Sequence, residues 1–323
     1  MFRRWLCVLL AFLPLTAFAL TGPGGETIPD SPPWQGKIRM VTRLRKVKDM
    51  NSRDWLGKVP EDALLDVYAV EGDWCICGYA GEIGYIPYDR MYQFYRLTDE
   101  ALPAASVVDG IAVLTRDALL MVDGYTGNQL PAGTALCSRR SGLVPMMQTH
   151  VQLPADSFTF TPFVPAADAK PGDALYGYTT FFNDSMAGRY PANRADNIAL
   201  AVERLQGVVL LPGEKFSFNA LCGPYTADNG YKRAKNVSDD GYGYGGGVCQ
   251  VSTTIFNAVQ GVRMRLDEWY IHSYWGVKYV PRTMDAAVSS VRDFSFYNEE
   301  DFPLVMECSV QDGVLTVILR KGE

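Results

Sequence analysis

Histidine is nearly missing from this sequence: 323 residues hold only His150 and His272, and no Cys-x-x-Cys pair occurs. A tetrahedral zinc site needs several N and S ligands in close register, so no metal site is expected, and no cofactor either. Runs of Lys and Arg are also absent, and 36 acidic residues outnumber 30 basic ones for a formal charge of −6. That balance argues against nucleic acid, or an anionic lipid surface, as the main partner. Beyond the N-terminus no apolar stretch approaches the ~20 residues that span a bilayer.

What is present begins with an export-like segment. Arg3 and Arg4 precede an almost uncharged run from Trp5 to Ala17, and Ala17-Phe18-Ala19 fits a small-x-small cleavage site. Residues 1–19 are therefore expected to be a signal peptide cut after Ala19, leaving an extracytoplasmic protein, secreted or bound to the cell wall. An uncleaved signal is the alternative, and the only membrane contact expected. Cys7 lies too early for a lipoprotein cysteine. Cleavage removes two positive charges, which takes −6 to −8. Six cysteines remain, Cys75, Cys77, Cys137, Cys222, Cys249 and Cys308, and their spacing does not read as a disulfide framework.

The chain is long enough for two or three domains. Residues 20–36 are rich in Pro and Gly and read as a linker. From 37 to 96, short β-like runs broken by Gly, Pro and Asp suggest a small barrel. Val70-Glu-Gly-Asp-Trp-Cys-Ile-Cys followed by Gly-Glu-Ile-Gly-Tyr-Ile-Pro resembles the end of a bacterial SH3-like domain. Cys75 and Cys77 then share one strand face and read as buried small hydrophobes. Residues 97–170 fit a second small β module without visible chemistry, and His150 reads as a surface or turn histidine.

From 171 to 323 the pattern turns α+β. Ile198, Ala201, Val202 and Leu205 form a helical stripe, capped at its start by Asn193 or Asp196 and at its end by Gly207. Val208-Val-Leu-Leu, Pro212-Gly213 and Phe216-Ser-Phe predict a tight hairpin. Leu304 to Val310, Asp312-Gly313 and Val314 to Leu319 predict another. The expected architecture is thus multidomain, one or two small β modules before an α+β unit.

Chemistry concentrates in Gly245-Gly-Gly-Val-Cys249-Gln-Val-Ser-Thr-Thr254. Val248, Val251, Ile255, Val259 and Val262 form a second stripe, so a helix starts near Val248 with Cys249, Ser252 and Thr253 on an adjoining face. Three glycines permit a bent backbone and the close approach of a substrate chain. A thiol in a first helical turn meets unpaired N–H groups and the positive dipole end, which favours the thiolate. The N–H of Val248 or Cys249 can also face an oxyanion. His272, in an aromatic run read as a strand, is the candidate base, with Asp285 rather than Asp293 chosen to orient it. A buried structural cysteine beside a flexible turn is the plainer alternative.

Residues 197–298 resemble a VanW domain nearly throughout. The resemblance rests on Asn197-Ile, Leu211-Pro-Gly-Glu-Lys-Phe-Ser-Phe-Asn219, Gly230-Tyr231, the Gly245–Thr254 run, Asn257-Ala, His272-Ser273, Tyr279-Val-Pro, Asp285-Ala and Asp293-Phe-Ser-Phe-Tyr-Asn298. Asp267-Glu268-Trp269 departs from it, since the family usually carries Glu-Arg before the histidine segment. The resemblance implies peptidoglycan cross-linking of the L,D-transpeptidase kind on peptidoglycan stem peptides. On that resemblance Cys249 would be the nucleophile; on the reading of the residues themselves His272 and Asp285 are its partners, and Gly246, Gly247, Val248, Gln250, Ser252 and Thr253 are the candidate substrate-binding residues. A cysteine cell-wall peptidase, with water as acceptor, and a non-catalytic peptidoglycan-binding protein are the alternatives.

Overall fold

The computed structural model describes residues 20–38, 40–71, 74–98, 108–122, 125–146, 149–182, 191–236, 241–272, 277–280 and 284–323. The expected signal peptide lies outside them. The protein is mostly β, in several small antiparallel sheets with a few helices. No helix among the described residues is long and apolar enough to cross a membrane.

The first sheet has seven strands in the order Trp55–Val59, Thr42–Arg45, Glu82–Pro87, Trp74–Tyr79, Leu64–Glu71, Trp34–Ile38 and Met91–Arg96. The order is open, and no closed barrel forms among the described residues. Alternation along Trp34–Ile38 turns Trp34 and Ile38 inward with Leu65, Val67, Cys75 and Cys77. Both cysteines are buried and unpaired. The stretch read as a linker is folded against this sheet. Leu20–Thr21 pairs with Thr27–Ile28, Ile28 packs with Ile76 and Tyr85, and the Tyr85 hydroxyl donates to Glu26 at 2.5 Å. Apolar Ile28 and Trp34 fold the segment in spite of its Pro and Gly content.

The second β region centres on Gly110–Leu114, flanked by Ala135–Ser138 and Phe158–Pro162. It shares its core with the final sheet. Val108, Ile111 and Cys137 pack with Ala174 and Ile318, the Cys137 N–H donates to Thr179 Oγ1 at 2.8 Å, and Thr316 Oγ1 donates to the Ala135 carbonyl at 2.9 Å.

The remaining part is α+β. Its four-stranded sheet runs Ala174–Phe181, Val314–Lys321, Leu304–Gln311 and Val209–Leu210. Asp312 and Gly313 both have positive φ, 48° and 80°. Those angles suit the two-residue hairpin that the Asp-Gly pair predicts. Helix α1, Pro191–Leu205, buries Ile198, Ala201, Val202 and Leu205. It begins earlier than the cap residues suggested, with Pro at its first position, where the missing N–H has no intrahelical partner to lose. Asn193 and Asp196 therefore lie inside it, bonded to the Arg233 carbonyl and to Lys232. Gly207 follows its end at φ 77°. Helix α2 is Phe218–Cys222 and helix α3 is Val248–Val259.

The Pro212-Gly213 turn does not close the expected hairpin. Val209–Leu210 pairs with Leu304–Gln311, whereas Lys215–Ser217 pairs with Ser295–Asn298 in a separate three-stranded sheet. Buried Asn298 stands at the divide, donating to the Leu210 carbonyl at 3.0 Å and accepting Gly213 N–H on its own carbonyl at 2.8 Å. Local turn chemistry is satisfied while the two strands leave for different partners.

Candidate functional site

Helix α3 emerges from the glycine run with little choice of residue there. Gly245 and Gly247 sit at φ 76° and 115°, a region that disfavours a side chain. A Cβ on Gly246 would lie 2.5 Å from the Lys235 carbonyl oxygen, and one on Gly245 2.9 Å from Tyr225. The expected close approach is thus made by the protein's own chain. The same glycines line one wall of a cleft of about 920 Å³.

Cys249 lies in the first turn of α3 and lines that cleft. Its thiol donates to the Val288 carbonyl at 3.3 Å and accepts the Val288 N–H at 3.5 Å. The Val248 and Gln250 N–H groups are taken by the Gly245 and Gly247 carbonyls at 3.1 and 2.9 Å.

His272 faces the same cleft. The expected strand is absent over the described residues 269–272: Met264–Glu268 is a strand, and irregular backbone follows it to His272. Trp269 leaves the ladder by stacking on Phe256, centroids 5.2 Å apart, and donating Nε1–H to the Asp285 carbonyl at 3.0 Å. The Asp285 carboxylate replaces a strand partner. It accepts the His272 N–H at 2.7 Å and lies 2.5 Å from Nδ1. The His272 side chain is 13% exposed and that of Asp285 1%. Burial alone would depress the imidazole, but the Asp285 hydrogen bond, and then Cys249, outweigh it and raise its pKa to about 9.

A ladder of side chains on α3 fixes the segment that carries Asp285. Cys249 meets Val288, Ser252 Oγ donates to the Ala286 carbonyl at 2.7 Å, and Thr253 Oγ1 accepts the Ala286 N–H at 3.0 Å. Asn257 Nδ2 donates to the Met284 carbonyl at 2.8 Å. Ser252 and Thr253 are fully buried and do not line the cleft. Where substrate contact was expected of them, their hydroxyls hold the Ala286 backbone instead. Gln250 is buried as well, its amide committed to Thr180 Oγ1 at 3.0 Å, the Phe181 carbonyl at 3.1 Å and Arg194 Nη2 at 2.6 Å.

Of the residues singled out from sequence, Gly246, Gly247, Val248, Cys249, Gln250 and His272 line the cleft. Asp285 stands directly behind His272. Asp293, the other orienting candidate, instead accepts Ser217 Oγ at 2.5 Å and the Asn219 N–H at 2.8 Å. Sequence reasoning missed Arg194, Tyr225, Lys278 and Val288. Arg194 falls within a helix read only for its apolar stripe, and Val288 acts through its backbone, which no residue type announces. No group of three His, Cys, Asp or Glu suited to a metal occurs among the described residues.

Residues 193–320 match the family model for VanW like protein. The chain is 36% identical over 149 residues to the uncharacterized protein YoaR of Bacillus subtilis, covering 45% of this chain and 47% of that protein. It is 35% identical over 85 residues to the vancomycin B-type resistance protein VanW of Enterococcus faecalis, covering 26% of this chain and 30% of that protein. The chain therefore spans less than half the length of either relative. No solved structure matches it.

Proposed function

With residues 193–320 forming a VanW-like domain, we propose that the protein is an exported cell-wall enzyme, a cysteine-dependent L,D-transpeptidase acting on peptidoglycan stem peptides. The observation that carries this reading is the 2.5 Å contact between His272 Nδ1 and Asp285, beside the Cys249 thiol in one cleft. A nucleophile, an imidazole and a buried carboxylate that orients it form the arrangement acyl transfer requires.

In the proposed cycle the Cys249 thiol gives up its proton to solvent, and the sulfur attacks the carbonyl of the donor stem's L,D peptide bond. The first-turn Cys249 N–H is the donor assigned to the developing oxyanion, and the neighbouring Val248 and Gln250 N–H groups are engaged elsewhere. His272 gives its proton to the departing amine of D-Ala as the C–N bond breaks, leaving a thioester. The side-chain amine of an acceptor stem then attacks that carbonyl and loses a proton to neutral His272, and the C–S bond breaks. Asp285 keeps Nδ1 engaged throughout, so Nε2 is left to handle the proton.

The vancomycin-resistance name of one relative supports a cell-wall setting. Cleavage after Ala19, and localisation by an SH3-like module within 37–96, belong to the same proposal. N-terminal sequencing of exported protein should find Leu20 first; an intact Met1 would count against cleavage. The test of activity is incubation of purified protein with tetrapeptide muropeptides. Cross-linked dimers are expected from the wild type and none from Cys249→Ser, while that variant melts within a few degrees of wild type. Cleaved stems without dimers would instead favour a cysteine peptidase, and full cross-linking by a folded Cys249→Ser protein would end the nucleophile reading.

A further inference from the structure

The cleft that holds Cys249 is lined by Arg194, Lys235 and Lys278, and no Asp or Glu is among its described lining residues. Such a lining is unexpected in a chain where acids outnumber bases by 36 to 30. Arg194 is also held in position. Its Nη2 donates at 2.6 Å to Oε1 of fully buried Gln250, the residue next to Cys249. Its guanidinium lies over the Phe182 ring at 5.5 Å. Gln250 is itself pinned to Thr180 and Phe181. A planar guanidinium bonded to Gln250 and stacked on an aromatic is held in one orientation, and its planar fork is the geometry that pairs with a carboxylate, at little entropic cost. Lys235 and Lys278 are exposed and add a diffuse positive field at the rim.

We infer that this cleft selects acidic peptides, with Arg194 as the specificity-determining residue that binds a carboxylate of the donor near the carbonyl attacked by Cys249. The inference rests on the proposed acyl-transfer site for its biological meaning but not for its test. The donor's scissile carbonyl has to sit over the sulfur, so a carboxylate fixed on Arg194 sets which peptide bond is presented.

Iodoacetate and iodoacetamide give a direct measurement on the full-length mature protein. Each reacts identically: the Cys249 sulfur forms a bond to the methylene carbon, iodide leaves with the C–I electron pair, and the thiol proton passes to solvent. Only one reagent carries a carboxylate. The ratio of the iodoacetate to the iodoacetamide rate at Cys249, followed by peptide mass mapping, should exceed that of free cysteine by about tenfold at low ionic strength. It should shrink as salt shortens the screening length. Arg194→Gln should lower the iodoacetate rate more than the iodoacetamide rate, Arg194→Lys should restore part of the ratio, and the double variant Lys235→Gln, Lys278→Gln, with both changes on exposed side chains, should weaken its salt dependence. In the second arm, amidation of a muropeptide donor's carboxylates should raise KM with a smaller change in kcat.

A ratio equal to that of free cysteine, or one untouched by all three variants, overturns the inference and leaves the transpeptidase reading standing. A preserved iodoacetate bias on a protein that makes no cross-links has the opposite meaning: the acidic-ligand cleft stands and the transpeptidase reading falls.

Discussion

Asp285 shows how much one carboxylate can settle. It is almost wholly buried, and its formal charge is balanced by the His272 ring and backbone N–H. Asp285→Asn keeps the shape and one acceptor but removes the charge that holds the imidazolium. Turnover is expected to fall by about 10²–10⁴-fold, and the imidazole to titrate lower, which NMR of the two-histidine protein can follow directly. In the intact protein the raised value makes His272 a proton donor through neutral pH, so activity should decline as pH climbs through about 9. Stability carries the same sign. A histidine raised from 6.5 to about 9 on folding contributes fully below pH 6.5, and that contribution fades between 6.5 and about 9. Thermal melts between pH 6 and 10 should show a loss in that interval that is absent from Asp285→Asn.

At the scale of elements, apolar periodicity and one local hairpin were legible and long-range pairing was not. Both helical stripes, apart from Val262 beyond the end of α3, and the Asp312-Gly313 hairpin stand where local pattern put them, because each depends on residues close in sequence. The Pro212-Gly213 turn looked equally clear, yet its flanking strands join different sheets through Asn298, a choice made by residues almost ninety positions away. His272 likewise read as strand from its β-branched and aromatic neighbours. Stacking of Trp269 on Phe256 overrode that propensity. Cys249, His272 and Asp285 could be named from residue chemistry and family resemblance. The work of Ser252 and Thr253 was hidden, because a hydroxyl facing substrate and one facing a neighbouring backbone look alike in sequence. The glycine run supplies a prediction here. Gly246→Ala must move Ala234 and Lys235 or the start of α3, since its Cβ would lie 2.5 Å from a carbonyl oxygen. A destabilisation of roughly 1–3 kcal/mol is expected, read by denaturant melts, together with slower alkylation of Cys249. An unchanged melt would show that the turn can relax freely.

Across the whole molecule, described residues tie the N-terminal parts to the α+β unit through a shared core and through a contact at the site's rear. Ile318 and Ala174 share a core with Val108, Ile111 and Cys137, so trimming the chain to residues 166–323 would expose apolar surface and remove one hydrogen-bond partner each from Thr179 and Thr316. The trimmed protein is expected to melt lower and aggregate more readily than one beginning near residue 97; equal melting temperatures would contradict this. The first sheet also touches the site's rear, with Lys37 Nζ 4.7 Å from the centre of the Trp269 ring. Burial lowers the Lys37 pKa. Because Trp269 also bonds the Asp285 carbonyl, Lys37→Ala should slow alkylation of Cys249 severalfold while leaving the cleft residues in place. A rate matching wild type would mean that the contact carries no coupling.

The ladder between α3 and residues 284–288 behaves as a vernier. Four helical residues advance about 6.0 Å, and two extended residues about 6.6 Å. The two rulers therefore slip by roughly 0.6 Å per rung, and alignment is good for only a few rungs before it fails. Asn257, the Ser252–Thr253 pair and Cys249 occupy that short window. The sulfur is thus the end mark of a scale whose zero is Met284. Inserting one residue between Ala286 and Val288 would slide the last mark by about 3.3 Å, carrying the Val288 amide away from the thiol while the rungs at Met284 and Ala286 stay engaged.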